Sequence, residues 1–171
     1  MNDALKIAVP QLSNLQLEHD AGGVPHLKAN YQHWRPQGAW QRENQFSDGT
    51  LRLLGLLWAL QEKGGPLLLE EPELSLNAAV VSKLPSMIRK AMRASKCQAL
   101  ITTHSPDMLS DPSVTLNEVH LLEPGKDGTT VRTGSDIESV RNLVGAGLPV
   151  SEAILPLAVP ENVNLLDQFV A

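Results

Sequence analysis

Three carboxylates stand close together in the segment Pro66-Leu67-Leu68-Leu69-Glu70-Glu71-Pro72-Glu73. Folding alone does not favour this crowding, because like charges raise one another's pKa and resist joint burial. Two kinds of chemistry would justify it: coordination of a divalent metal together with its phosphate ligand, or proton transfer. A second stretch, Ser47-Asp48-Gly49-Thr50, sets a hydroxyl and a glycine just before an apolar run. Such groups cap the free N–H donors of a helix start, and a helix start can also hold an anion. A third stretch, Thr102-Thr103-His104-Ser105, ends a short apolar run in an imidazole, which could serve a ligand or simply cap a helix.

These groups need elements to position them. Residues 66–69 are too few and too abruptly ended for a helix, and read as a buried strand with acids at its C-terminal edge. That edge is where open parallel α/β sheets place their ligands. Residues 51–60, stopped by Lys63-Gly64-Gly65, read as a helix that is apolar on nearly every face except at Arg52 and Gln61, and so as one sandwiched between layers. Residues 78–93 carry Val80, Val81, Leu84, Met87 and Ile88 at helical spacing, with Arg89, Lys90 and Arg93 near the end. Pro85 should kink this helix or begin a second segment. Residues 98–103 read as another buried strand, after which Ser105 caps a short helix with Pro106 at its first position. Strand, helix and strand at this spacing predict a βαβ unit with parallel strands, so that Glu71 and His104 face one crevice.

Around this centre the text is simpler. Residues 12–18 and 24–31 flank Asp20-Ala21-Gly22-Gly23 and predict a hairpin, and residues 31–45, with Trp34, Arg35, Pro36 and Trp40, read as an irregular connector. His19, His26 and His33 match no compact ligand spacing and read as solvated strand histidines. Residues 119–122 and 129–132 predict a second hairpin that extends the sheet edge. Residues 136–144 read as a helix, 151–159 as a proline-punctuated cap and 161–169 as a last short helix. There is no repeat and no low-complexity segment.

The chain has 171 residues, 42% of them hydrophobic, which suits one domain with a real core. A net charge of -5 argues against coating nucleic acid by charge alone. Cys97 is the only cysteine, so no intrachain disulfide forms, and a reducing cytoplasm fits. Met1-Asn2-Asp3 lacks the features of a secretory leader, and the apolar run at 51–60 is short and carries Arg52, so no membrane association is expected.

Taken together, Ser47-Asp48-Gly49-Thr50, Leu67-Leu68-Leu69-Glu70-Glu71-Pro72-Glu73, Leu74-Ser75-Leu76-Asn77 and Thr102-Thr103-His104-Ser105 resemble the second half of an ATP-binding-cassette (ABC) type ATPase head. Order and intervals are most similar to bacterial AAA-family ATPases of the RecF, OLD and SMC-like group, including AbiEii-toxin-like AAA domains, over roughly residues 46–132. The resemblance implies an α/β fold, the C-terminal half of a P-loop NTPase, with parallel strands, helices packed on the sheet and β-hairpins. It implies a single partial ATPase domain over 1–171: hairpin and connector at 1–45, core at 46–132 and a helical cap at 133–171. By position, Ser47 and Gly49 resemble the signature motif that meets the γ-phosphate of ATP held by the opposite subunit. Glu70 resembles the Walker B carboxylate, which serves Mg²⁺ through water and is more often aspartate, and Glu71 resembles the catalytic base. His104 resembles the switch histidine, and residues 74–77 resemble the D-loop, with Asn77 where a histidine is often found. The sequence contains no Gly-x-x-x-x-Gly-Lys-Ser/Thr, so the phosphate-cradling Walker A loop is absent. The implied function is therefore ATP hydrolysis only once a Walker A-bearing chain or segment is supplied, with ATP and Mg²⁺ as cofactors, in a homo- or heterodimer across the nucleotide. The isolated chain is expected to be inactive. The alternative is a non-catalytic truncated head that dimerises or regulates, for example in a DNA-repair or phage-defence complex; DNA contact is implied only by family analogy.

Overall fold

The computed structural model describes residues 2–32, 37–62, 64–160 and 162–169. His33, the connector residues Trp34, Arg35 and Pro36, Lys63 of the helix stop and Glu161 of the last short helix lie outside the described residues. The chain divides into two compact units, Met1–Val81 with Met87–Thr103, and Ser82–Ser86 with His104–Ala171.

In the first unit a helix, α1 (Asn2–Ala8), precedes a three-stranded antiparallel sheet of β1 (Leu12–His19), β2 (Pro25–Tyr31) and β3 (Ala39–Arg42), in that order. The expected hairpin is present. Asp20 closes its turn by accepting the N–H groups of Gly22 at 2.8 Å and Val24 at 2.9 Å. Strand β3 corrects the reading of residues 31–45 as irregular. Its alternation places Ala39 and Gln41 opposite Tyr31 and Ala29, and Trp40 and Arg42 opposite Asn30 and Lys28. A glutamine at an inward position hides that period from the sequence. A register shift between Ser13 and Gln16, with Asn14 at φ 54°, acts as a bulge that keeps Leu12 and Leu15 on the packed face.

Residues 48–59 form α2 (Asp48–Ala59), which sends Leu53, Leu54 and Leu57 into a core with Leu5, Leu12, Ala29 and Phe46. Its opposite stripe, Leu51, Gly55 and Trp58, faces outward, with Leu51 38% and Trp58 61% exposed. The helix is thus packed on one side, not sandwiched; two large apolar residues on the outer stripe made it read as apolar all round. Strands β4 (Leu67–Glu70) and β5 (Ala99–Thr102) form the expected parallel pair, with α3 (Ala78–Val81) and α4 (Leu84–Ser95) between them in the chain. Pro85 sits at the second position of α4, where no intrahelical N–H is needed, so it begins a segment and does not kink one. Neither strand is buried on both faces: Leu68 and Leu100, paired with each other, are 72% and 58% exposed. A run of leucines carries no alternation of its own, and packing on one side imposes it.

In the second unit, α5 (Pro106–Leu109) is followed by the hairpin β6 (His120–Gly125) and β7 (Gly128–Thr133), then α6 (Glu138–Gly145) and α7 (Val150–Ile154). 3₁₀ segments follow at Leu155–Ala158 and Val163–Phe169. The hairpin is a sheet of its own and does not extend the edge of the β4–β5 pair, as the sequence reading had it. Its Leu121 joins Ile137, Val140, Val150, Ala153 and Ile154 in a separate core. Among the described residues no helix is long and apolar enough to cross a membrane.

On the outer face of the first sheet, His26 binds two carboxylates, Glu43 through Nδ1 at 2.7 Å and Asp20 through Nε2 at 3.5 Å. The Glu43 hydrogen bond raises the His26 pKa, and the same contact holds Glu43 below its usual range. Backbone donation from Val24 does the same for Asp20. Arg42 opposes the histidine's charge, while Glu18 answers Arg42 and Lys28. A raised histidine stabilises fully below its unfolded pKa, about 6.5, and that stabilisation disappears as pH rises through the folded value. The lowered carboxylates act in the opposite sense, so their share disappears only in acid. The melting-temperature difference between wild type and His26→Gln, followed by circular dichroism, should therefore be largest near neutral-to-mildly acidic pH and vanish in alkali. An equal difference at both ends would disprove the linkage.

Candidate functional site

The register of β4 on β5 sets Glu70 beside Thr102 at the C-terminal edge of the pair. One residue on, the Glu71 N–H donates to the Thr102 carbonyl oxygen at 3.0 Å, and the chain then turns away, with Glu71 itself at φ 42°. A non-glycine residue in this left-handed region is uncommon and is held there by its surroundings. The three carboxylates consequently have three environments: Glu70 is exposed, Glu71 half-buried and Glu73 only 8% exposed. Divergent surroundings, not mutual repulsion, are what this spacing produces.

Glu73 is the residue that reading the sequence left without a role. Its Oε1 accepts the hydroxyl of Thr103, at the exit of β5, and its Oε2 is buried with no hydrogen-bond partner among the described residues. The pair ties the loop after β4 to the end of β5. Nothing in the local pattern marks Glu73 as the buried acid; its only signal is Thr103, thirty positions away, just before His104.

At the foot of α2, the Ser47 hydroxyl accepts the Thr50 N–H at 3.2 Å and lies 2.9 Å from the Thr50 hydroxyl. The plain helix-cap role of Ser47 is therefore realised, and Ser47 remains exposed. Gly49 meets the loop after β4 directly: a Cβ built on it would overlap the carbonyl oxygen of Ser75, itself at φ 64°. The signature-like and D-loop-like segments thus abut within one unit. Asn77 lies on the same loop, and its Oδ1 accepts the Ala79 N–H at 2.9 Å as a cap for α3. His104 is exposed and opens the second unit directly after Thr103 in the chain. Among the described residues no group of three His, Cys, Asp or Glu side chains is placed to hold a metal ion.

Two glycines of α2 give a paired test of this packing. Gly49→Ala should lower stability to chemical denaturation by about 1–3 kcal/mol, the usual cost of overpacking. Gly55→Ala, where nothing lies within 4 Å, should raise it by roughly 0.5–1 kcal/mol through helix propensity. Equal effects at both positions would rule out the close approach of Ser75.

No curated protein matches the chain. Among solved structures, it is similar to a structure from work on ATP-driven dimerization and DNA-stimulated activation of SMC ATPases, at 17% identity and a TM-score of 0.59, covering 85% of this chain and 87% of that one. It is also similar to the Smc head domain with a coiled coil and joint from Pyrococcus yayanosii, at 18% identity and a TM-score of 0.59 over 92% of this chain. A third likeness is to an Smc head bound to the C-winged helix domain of ScpA, at 15% identity and a TM-score of 0.58 over 77% of this chain. The chain spans only 28% and 40% of the length of these last two. The likeness shows the fold, the mixed α/β P-loop NTPase fold of SMC ATPase heads. A family profile described as "AAA domain, putative AbiEii toxin, Type IV TA system" matches residues 3–110. That match takes in more than half of the chain, which therefore belongs to this AAA domain family and to an ATPase lineage.

Proposed function

We propose that the chain is the part of an ATP-hydrolysing AAA/ABC-type ATPase that supplies signature motif, Walker B carboxylates and switch histidine to a Mg-ATP site completed by a Walker A segment elsewhere. The observation that supports this most is the in-register pairing of β4 with β5, which gathers Glu70, Glu71 and the strand exit leading to His104 at one sheet edge. Open parallel sheets bind ligands at that edge.

In this reading Glu70 is the carboxylate on the Mg²⁺ side. It is exposed and, among the described residues, has no hydrogen-bond or ion-pair partner to displace. One such carboxylate suffices for an ion that keeps waters and phosphate oxygens for most of its shell. When bound, Mg²⁺ neutralises charge on the β- and γ-phosphates. Glu71, half-buried and fixed through its backbone, orients the attacking water and accepts its proton. Ser47 and Gly49 meet the γ-phosphate of a nucleotide held by the opposite subunit; the Ser47 hydroxyl hydrogen can turn from Thr50 to the phosphate. His104, which follows the exit of β5 that Glu73 and Thr103 anchor, is the switch histidine that touches the γ-phosphate of the nucleotide served by Glu70 and Glu71. Asn77, on the loop that touches Gly49, takes the D-loop position between the subunits of a homo- or heterodimer. Without a Walker A lysine in cis, the carboxylates are not offset, and nucleotide affinity of the chain alone is poor.

A second reading, a non-catalytic head acting as a dimerisation or regulatory module, draws on the exposed apolar residues Leu51, Trp58, Leu68 and Leu100. It differs in one measurable respect, turnover. The pure chain should release no phosphate from ATP above background. Joined to a Walker A-bearing segment it should hydrolyse ATP, and Glu71→Gln should keep nucleotide binding while losing roughly 100-fold or more in rate. Hydrolysis by the chain alone would refute the missing-half assignment, wild-type turnover in Glu71→Gln would refute the base, and nucleotide binding without turnover in the joined wild type would establish the regulatory module instead.

A further inference from the structure

We propose that Thr50 is a positioning residue for the phosphate contact of Ser47: it fixes the Ser47 hydroxyl as a hydrogen-bond donor directed away from the protein. The inference rests on the ATPase reading above and on a count of hydrogen bonds at the foot of α2. A serine hydroxyl has one hydrogen and two lone pairs. On Ser47 the Thr50 N–H fills one lone pair, at 3.2 Å. The Thr50 hydroxyl lies 2.9 Å from the same oxygen, and distance alone allows either hydroxyl to donate. Burial decides between them. Thr50 is 6% exposed, and among the described residues its hydroxyl has no partner other than Ser47. If Ser47 donated inward, the Thr50 hydrogen would be buried without an acceptor, which costs about as much as a lost hydrogen bond. If Thr50 donates, both hydroxyls are satisfied, because Ser47 is exposed and its hydrogen is free to point outward.

This direction has a chemical consequence. With both lone pairs filled from within by one residue, Ser47 offers a donor and no acceptor. The charged oxygens of a phosphate only accept, so they match it, whereas a group that must donate finds nothing to receive its hydrogen. The donor is also set before the phosphate arrives, so little reorganisation accompanies the contact. Threonine suits this task better than serine, because β-branching restricts χ1 and holds the hydroxyl toward Ser47. A threonine within a helix otherwise bonds a backbone carbonyl one turn back. Here the Ser47 carbonyl oxygen already accepts the Leu51 N–H at 3.0 Å, and the Thr50 hydroxyl meets the Ser47 side chain instead. Gly49, between the two, stands against the Ser75 carbonyl, so the backbone that spaces the two hydroxyls is held as well.

Two measurements test this. In the intact chain, ¹H NMR with isotope-labelled threonine and serine should show a slowly exchanging hydroxyl proton coupled to the β-proton of Thr50, while the Ser47 hydroxyl exchanges with water too fast to be seen. A protected hydroxyl on Ser47, or none on Thr50, would overturn the inference without any variant having to fold. In the protein joined to a Walker A-bearing segment, Thr50→Val keeps the N–H bond and the shape. It should lower kcat roughly tenfold, the worth of one hydrogen bond, with the circular-dichroism spectrum unchanged. Thr50→Ser should restore most of that loss, and Thr50→Val should add nothing in a Ser47→Ala background, because Thr50 acts only through Ser47. A purely structural threonine would add its loss in both backgrounds; that result, or wild-type turnover in Thr50→Val, would overturn the positioning role and leave the ATPase reading intact. Wild-type turnover in Ser47→Ala, or no turnover in the joined wild type, would refute that reading itself and the positioning role with it.

Discussion

The candidate site depends on one short ladder, the parallel pairing of Leu67 with Ala99 through Glu70 with Thr102. Side chains alternate across a strand, so a slip of one residue would turn Glu70 toward the half-buried face and Leu69 toward solvent. Such a slip would also carry Glu73 away from Thr103. The register is held from both sides of the exposed edge. The Leu67 N–H donates to the Gln98 carbonyl oxygen at the start and the Glu71 N–H to Thr102 at the end, so the ladder closes just where the acids begin. Two strands of four residues make a weak sheet alone, and the burial of Glu73 against β5 adds a side-chain lock to the backbone one.

That lock runs against the usual economy of folding. Burying a carboxylate with one oxygen unpaired costs more than burying an apolar group of the same size. Its return is positional: the loop after β4 leaves at a fixed angle, Ser75 adopts a left-handed conformation, and its carbonyl comes so near α2 that only glycine fits at position 49. A residue chosen for its lack of a side chain and an acid chosen against its preference for water thus serve the same loop.

Much of this was legible in the sequence, and the failures have physical causes. The parallel pair, the helix start at Ser47, the first hairpin and the role of Pro85 rest on local chemistry: short apolar runs, capping hydroxyls, glycine-rich turns and a missing N–H. Strand β3 was not legible because Gln41 occupies an inward position where an apolar residue would have shown the period. Helix α1 was missed because seven residues, Asn2 to Ala8, are too few for periodicity to stand out, and Ala4, Leu5 and Ala8 gain their helical setting by packing on the sheet. The exposed faces of α2 and of the β4–β5 pair were misread because composition reports how apolar a segment is and not how many layers cover it. Within the site, Glu70 and Glu71 were visible as a pair, but which acid is buried depends on Thr103 and could not be read from residues 66–73 alone.

Those exposed leucines bear on how the site would be completed. A parallel pair ordinarily has both faces covered, yet Leu68 and Leu100 lie side by side in the open on the same face of the sheet as Glu70. A segment that covered them would gain apolar burial at about 25 cal/mol per Å² while standing beside the acids. The groups assigned to the nucleotide in the first unit are already set by internal contacts: Ser47 by its cap, Gly49 by Ser75, Glu71 by Thr102. Little ordering remains to oppose binding there. In the proposed reading, a completing segment would bring positive charge and N–H donors for the phosphates, and apolar contact with the leucine face would hold that charge beside the acids.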